Sequence, residues 1–168
     1  MARAGIALGS NLGERLSQLR GAITGLREIA APGEPVLVAA IYQTEPRHCP
    51  PGSRDFLNTV IEIGFMGGPL DLLAHTRTLE EVLGRVRSSM RNAPRVIDID
   101  LLYLGSVCCN SRLLVLPHPR ISQRRFVLQP LADIRPDLIL PGQPLTVTEM
   151  LATLPPGEPP LLRVEEIQ

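Results

Sequence analysis

The chain has 168 residues, 17 basic and 17 acidic side chains, and 44% hydrophobic residues. That length suits one domain with a sizeable core, and zero formal net charge argues against a nucleic-acid footprint or a polybasic membrane surface. All 17 basic residues are arginine, which excludes a Walker-A phosphate loop, a lysine Schiff base and the ATP-anchoring lysine of protein kinases, so any phosphate would have to be handled by arginine and metal.

Gly5 to Leu8 is a short apolar run that stops at Gly9 and reads as a buried strand. Ser10 and Asn11 are good N-caps for an amphipathic helix marked by Leu12, Leu16, Leu19, Ile23 and Leu26, which fades near Ala31-Pro32-Gly33. Val36 to Tyr42 is rich in β-formers and predicts a strand, and Pro46, Pro50, Pro51 and Gly52 force a loop. Phe56 to Phe65 predicts the next strand. Leu57, Thr59, Ile61, Ile63 and Phe65 share its more apolar face, the expected core face, and Phe56, Asn58, Val60, Glu62 and Gly64 share the other. Pro69 suits the first turn of a helix running through Leu70, Leu73, Arg77, Glu80 and Glu81 to Gly84. After a polar, arginine-rich stretch from Arg85 to Pro94, Val96 to Leu104 predicts a strand with a turn at Gly105-Ser106. Arg125 to Ile134 and Val147 to Leu154 are candidate short helices. The Pro-rich run from Leu154 to Pro160 launches a loosely held tail, giving one domain over residues 1–154 and a tail over 155–168. The order β-α-β-β-α-β points to a ferredoxin-like α+β sandwich, with a mostly antiparallel sheet and helices packed on it.

Cys49, Cys108 and Cys109 have neither disulfide-scaffold nor zinc spacing and read as reduced thiols. Met1 to Leu12 has no signal-peptide core, and no apolar run approaches the ~20 residues of a membrane span. The expectation is a soluble, cytoplasmic protein with no membrane and no nucleic-acid partner.

The sharpest chemical signal is Asp98-Ile99-Asp100 within a strand. Alternate strand residues project to one face with Cα atoms ~6.5–7 Å apart, and two adjacent carboxylates need a cation. A solvated strand face is the plainer alternative, but Ile97, Ile99, Leu101 and Leu102 mark a core strand. Two oxygen ligands with room for water and phosphate suit magnesium. Arg85, Arg87, Arg91 and Arg95 lie immediately upstream, and guanidinium forks match phosphate oxygens. Cationic forks beside a metal-binding carboxylate pair suit phosphoryl transfer. His118 stands between Pro117 and Pro119, six residues before Arg124, whereas His48 and His75 read as structural. Phe56 and Asn58, with Phe126 as a second ring, could stack on and hydrogen-bond a flat heterocycle; ordinary packing accounts for them equally at this point.

Seven segments, taken in order, resemble the 6-hydroxymethyl-7,8-dihydropterin pyrophosphokinase family of folate biosynthesis. They are Ala7 to Gly13, Tyr42 to Pro46, Asp55-Phe56-Leu57-Asn58, Glu80 through Arg87, Pro94 to Leu102, Leu116-Pro117-His118-Pro119 and Arg124 to Leu131. The likeness runs from about Ile6 to Pro141. It implies a ferredoxin-like fold and an ATP-dependent diphosphokinase that moves the β,γ-pyrophosphoryl unit of ATP to the pterin's hydroxymethyl group, releasing AMP. It implies that Asp98 and Asp100 hold two magnesium ions. Arg85, Arg95 and His118 would grip phosphates as the catalytic set, Arg87 and Arg124 would close and stabilise the ATP site, and Glu80 and Leu101 would meet the nucleotide. Phe56 and Phe126 would sandwich the pterin, Asn58 would read its edge, and Thr44, Pro46 and Arg47 would line that pocket. It further implies small-molecule substrates and a monomer. Gly9-Ser10-Asn11 is a signature of the family, read as a structural strand-to-helix connection. Two departures stand out. Asn92 and Ala93 occupy the Arg91 to Arg95 loop where the family often has tryptophan and glycine, which bears on how that lid closes, and Ser53 replaces a common glutamine before Asp55. Two other readings compete: a metal-dependent phosphohydrolase using the same aspartates, and a noncatalytic ferredoxin-like binding module.

Overall fold

The computed structural model describes residues 1–45, 51–52, 54–84, 96–157 and 161–164. At its centre is β1 (Ala2–Ser10), flanked by β4 (Phe56–Phe65) and β5 (Asp98–Leu104). The sequence of β1 alternates Ala4, Ile6 and Leu8 with Gly5, Ala7 and Gly9, so one face is bulky and apolar and the other has almost no side chain. The bulky face packs under α1 (Arg15–Ile29) and α2 (Pro69–Val82), where Leu19, Leu26 and Leu72 meet Ile6, Leu8, Ile61, Ile63, Ile97, Ile99 and Leu101.

Among the described residues the main sheet runs β5-β1-β4, then β3 (Ile41–Thr44) and β8 (Leu162–Val164), with β2 (Leu37–Val38) also paired to β4, and every pairing is antiparallel. This is the ferredoxin-like α+β arrangement expected from the element order, extended by one strand at the C-terminal side. Three expectations need correction. Val36 to Tyr42 does not form one strand. It breaks at Ala39-Ala40 into β2 and β3 (Ile41–Thr44), because the Thr59 hydroxyl donates to both carbonyls at 3.1 Å. Nor is β4 buried on one face only: α3 (Arg125–Ile134) covers its second face and α4 (Val147–Ala152) packs against α3, so that Val127, Leu128, Leu131, Val147 and Met150 form one apolar cluster with Val60 and Tyr103. The tail is not loose throughout, since Leu162–Val164 forms β8 and pairs with β3 through Ile41↔Val164 and Gln43↔Leu162. Without it β3 would be an open sheet edge.

Helix ends follow their local chemistry. Pro69 opens α2, and the Gly68 amide donates to Asp71 Oδ2 at 2.9 Å. Thr146 and Glu149 cap α4 reciprocally, at 3.1 and 3.0 Å. A small hairpin of β6 (Cys109–Asn110) and β7 (Val115–Leu116), absent from the sequence expectation, precedes His118. Cys108 and Cys109 are unbridged, and Cys49 lies outside the described residues. Among the described residues no helix is long and apolar enough to cross a membrane.

Candidate active site

The register lays one residue from each of five strands in a transverse row, Asp98–Gly9–Asn58–Tyr42–Arg163, all facing the α3 side of the sheet. The next row places Asp100 beside Ala7 and Val60. Asp98 and Asp100 therefore face this side because Ile97, Ile99 and Leu101 are drawn into the core on the other. Both carboxylate residues are half-buried. Ser10, expected as a helix cap, instead ends β1 and donates its hydroxyl to the Val96 carbonyl at 2.6 Å, fixing the entry to the aspartate strand. The residue before α1 is Glu14, with no side-chain cap bond.

Cationic groups approach from the α3 side. Burial lowers the Arg124 guanidinium, Arg120 adds to that, and the carboxylates of Asp100 and Asp98 oppose it, so Arg124 lies within electrostatic reach of both aspartates. His118 is tied to the same strand, its amide donating to the Leu102 carbonyl at 2.7 Å. Its Nδ1 accepts from the Arg120 amide at 3.1 Å, which leaves the ring proton on Nε2. Burial, then Arg124 and Arg120, push its pKa down to about 4. Near neutral pH it is an uncharged imidazole with an N–H donor.

Asn58 is buried, and its Nδ2 donates to Thr44 Oγ1 at 2.7 Å. A Cβ placed on Gly9 would lie 3.0 Å from Asn58 Oδ1 and 3.8 Å from the Phe56 ring. Gly9 thus does more than join strand to helix: its missing side chain is the space in which Asn58 and Phe56 meet the aspartate row. Phe126, in the first turn of α3, leaves 37% of its surface exposed, unusual for an aromatic ring in a chain with so few. The Arg124 guanidinium carbon lies 5.5 Å from its centroid, a cation–π distance.

Asp98, Asp100, Thr44, Phe56, Asn58, His118, Arg124 and Phe126 are thus carried by elements that meet on the α3 side. Two other predicted residues sit differently. The Leu101 side chain belongs to the core under α1 and α2, so only its main chain remains for a nucleotide. Glu80, buried on α2, accepts from the Ile99 amide at 3.4 Å, on the outer edge of β5. By the two-residue period, Leu101's main-chain groups face that same edge. Pro46, Arg47, Ser53, Arg85, Arg87, Arg91, Asn92, Ala93 and Arg95 lie outside the described residues. Among the described residues no three His, Cys, Asp or Glu side chains are grouped to enclose a metal. Paired carboxylates open to water and phosphate suit magnesium, which takes few protein ligands. Sequence reasoning missed Ser10's tie to Val96, 86 residues away, and also Arg120's amide bond to His118, a local contact two residues on.

Residues 5–136 match the family model described as 7,8-dihydro-6-hydroxymethylpterin-pyrophosphokinase. The 2-amino-4-hydroxy-6-hydroxymethyldihydropteridine pyrophosphokinase of Methylorubrum extorquens is 44% identical over 162 residues, covering 94% of this chain and 96% of that protein. The protein of the same name from Bacillus subtilis is 41% identical over 132 residues, 77% of this chain and 75% of its own length. The HPPK-DHPS structure of Plasmodium falciparum with pteroate superposes with a TM-score of 0.70 at 13% identity, a likeness of fold. It covers 90% of this chain but 42% of that one, so the chain spans about two-fifths of that larger protein. The chain belongs to the 7,8-dihydro-6-hydroxymethylpterin-pyrophosphokinase family.

Proposed function

We propose that the site on the α3 side of the sheet transfers the β,γ-pyrophosphoryl group of ATP to the hydroxymethyl oxygen of 6-hydroxymethyl-7,8-dihydropterin, in folate biosynthesis. The reading is carried by the transverse row that sets Asp98 and Asn58 on either side of a bare Gly9. Phosphate chemistry and heterocycle recognition then share one floor. The hydroxymethyl oxygen bonds to the β-phosphorus as the bond from that phosphorus to the α,β-bridging oxygen breaks, and AMP leaves.

Asp98 and Asp100 would hold two magnesium ions, which supply charge neutralisation to the triphosphate when bound. Arg124 lies close enough to feel both aspartates and adds a fixed cation for the polyphosphate. Neutral His118 donates from Nε2 to a phosphate oxygen and adds no charge that the bound cations would repel. Arg85, Arg87 and Arg95, which lie outside the described residues, would add the further phosphate contacts that the family likeness implies, and Glu80 with the Leu101 main chain would meet the nucleotide at the outer edge of β5. On the acceptor side, Asn58 spends one amide hydrogen on Thr44 and keeps a second hydrogen and its carbonyl oxygen for the pterin edge. Phe56 and Phe126 would stack on its faces, and Pro46 and Arg47 would be the further pterin contacts that the family likeness implies. The expected state is a monomer acting on small molecules alone.

Incubation with ATP, magnesium and the hydroxymethyl dihydropterin tests this directly. AMP should form only when the pterin is present. ADP, or phosphate released without pterin, would favour the phosphohydrolase reading instead.

A further inference from the structure

Two polar ties fasten the C-terminal end of α3 to the sheet. The Tyr42 hydroxyl on β3 donates to Asp133 Oδ2 at 2.8 Å. Arg135, at the helix C-cap, sends Nη1 to both carboxylate oxygens of Glu62 on β4, at 2.8 and 2.7 Å. Glu62 has no exposed surface, and it also accepts from Arg3 Nε at 2.9 Å and from the Tyr103 hydroxyl. One carboxylate in mid-sheet thus gathers groups from β1, β5 and α3. It stands four residues along β4 from Asn58, ~13 Å at strand rise, so it is remote from the floor of the site.

Such a cluster adds little net stability over well-packed apolar residues, and its directional bonds fix geometry instead. Further toward the helix start the Gln129 side chain also hydrogen-bonds Tyr42, while Val127, Leu128 and Leu131 hold α3 by apolar contact, which is non-directional. Pro130 lies inside α3 and brings no N–H to the Phe126 carbonyl. The first turn therefore depends more than usual on what holds the remainder of the helix.

We propose that Tyr42, Asp133, Glu62 and Arg135 are positioning residues that clamp one end of α3, so that Phe126 and Arg124 at its other end stay in register with the pterin and the triphosphate. The inference rests on the pterin reading of Asn58 and Phe126 given above. From Arg135 to Phe126 is ~13.5 Å at helical rise. A tilt of ~4° about the clamped end therefore moves the ring by about 1 Å, and misplacement of that size can cost up to ~100-fold.

The test is a double-mutant cycle on the full chain. Pterin affinity is titrated by the ligand's own fluorescence, with magnesium and a non-hydrolysable ATP analogue present. Arg135→Ala and Asp133→Ala should each weaken binding about 5- to 10-fold in the otherwise native protein, but less than about twofold once Phe126 is alanine, because the clamp acts through that ring. Arg135→Lys, which keeps a cation for Glu62, should recover most of the affinity. Equal factors in both backgrounds, as a merely structural role produces, overturn the inference. Should Arg135→Ala fail to fold, the exposed Asp133 position decides the matter by itself. If Phe126→Ala alone binds pterin at native strength, the pterin reading of that ring fails and the clamp falls with it, an outcome distinct from additivity.

Discussion

Substituting alanine for Gly9 separates the site from the fold more cleanly than removing any charged residue. Gly9 lies mid-row in a central strand and is not among the positive-φ glycines, so alanine meets no backbone strain there. Restricting the unfolded chain should stabilise the protein by ~0.4–1 kcal/mol. Against this, the new methyl sits 3.0 Å from Asn58 Oδ1, and the amide must give by a few tenths of an ångström while bonded to Thr44 at 2.7 Å. Weakening that bond costs ~1 kcal/mol at most, so net stability should stay within about 1 kcal/mol of the parent. Pterin recognition has no such compensation. Loss of one or two hydrogen bonds from a displaced Asn58, at ~1 kcal/mol each, raises the pterin KM about 5- to 30-fold, with the ATP KM changed much less. Steady-state kinetics with each substrate varied in turn, beside a thermal melt, measure both quantities. A normal pterin KM in a folded Gly9→Ala protein would refute the placement of the pterin on this floor. A collapsed melting temperature would refute the claim that Gly9 serves the site rather than the strand.

Three other expectations concern the aspartate strand and its neighbours. Asp98→Asn or Asp100→Asn should cut AMP formation by at least ~10³-fold with the melt preserved, and near-native turnover in either variant would defeat the metal assignment. In protein free of metal and nucleotide, the His118 imidazole should titrate near 4 rather than the ordinary 6.5. The unfolded chain then holds more protons between those values, so this group's contribution to stability is complete above about 6.5 and is lost as the pH falls toward 4. An imidazole midpoint above 6 by NMR contradicts the buried, arginine-flanked setting. Ser10→Ala removes the 2.6 Å bond to Val96. It should cost ~1 kcal/mol of stability and raise the magnesium concentration needed for half-maximal rate, because the start of β5 loosens; an unchanged magnesium curve argues that Ser10 only stabilises.

Much of the frame is legible in the chain because its signals are local. The strand over Phe56–Phe65 and the helix over Arg125–Ile134 appear with their expected bounds, since turn residues punctuate the first and a compact apolar stripe marks the second. The facing of Asp98, Asp100 and Asn58 follows from the two-residue period alone. What escapes is set by partners far along the chain. The break at Ala39-Ala40 depends on the Thr59 hydroxyl, about 20 residues on. Ser10 looks like a helix cap until the carbonyl of Val96, 86 residues away, accepts its hydrogen bond. The burial of Val60 requires α3, and β8 is only three residues long, too short for alternation to announce a strand that exists by pairing with β3. For Leu101 the family likeness marks only a position, whereas the structure adds that its side chain belongs to the core under α1 and α2.

The alternation along β1 explains why the chemistry lies where it does. Ala4, Ile6 and Leu8 anchor the sheet to α1 and α2 and are fully or almost fully buried. On the opposite face the three small residues have different occupants. Gly5 is covered by the Tyr103 ring, into which a Cβ there would project, and Tyr103 in turn donates to Glu62. Ala7 lies between Asp100 and Val60, and Gly9 gives its space to Asn58 and Phe56. Along one strand the floor thus passes from a filled polar cluster to an open end, and side-chain volume sets the direction. A larger residue at Gly5 should displace Tyr103 and strike the clamp on α3, whereas one at Gly9 should strike the heterocycle; the same small-residue pattern therefore serves two ends of the site by different physical routes.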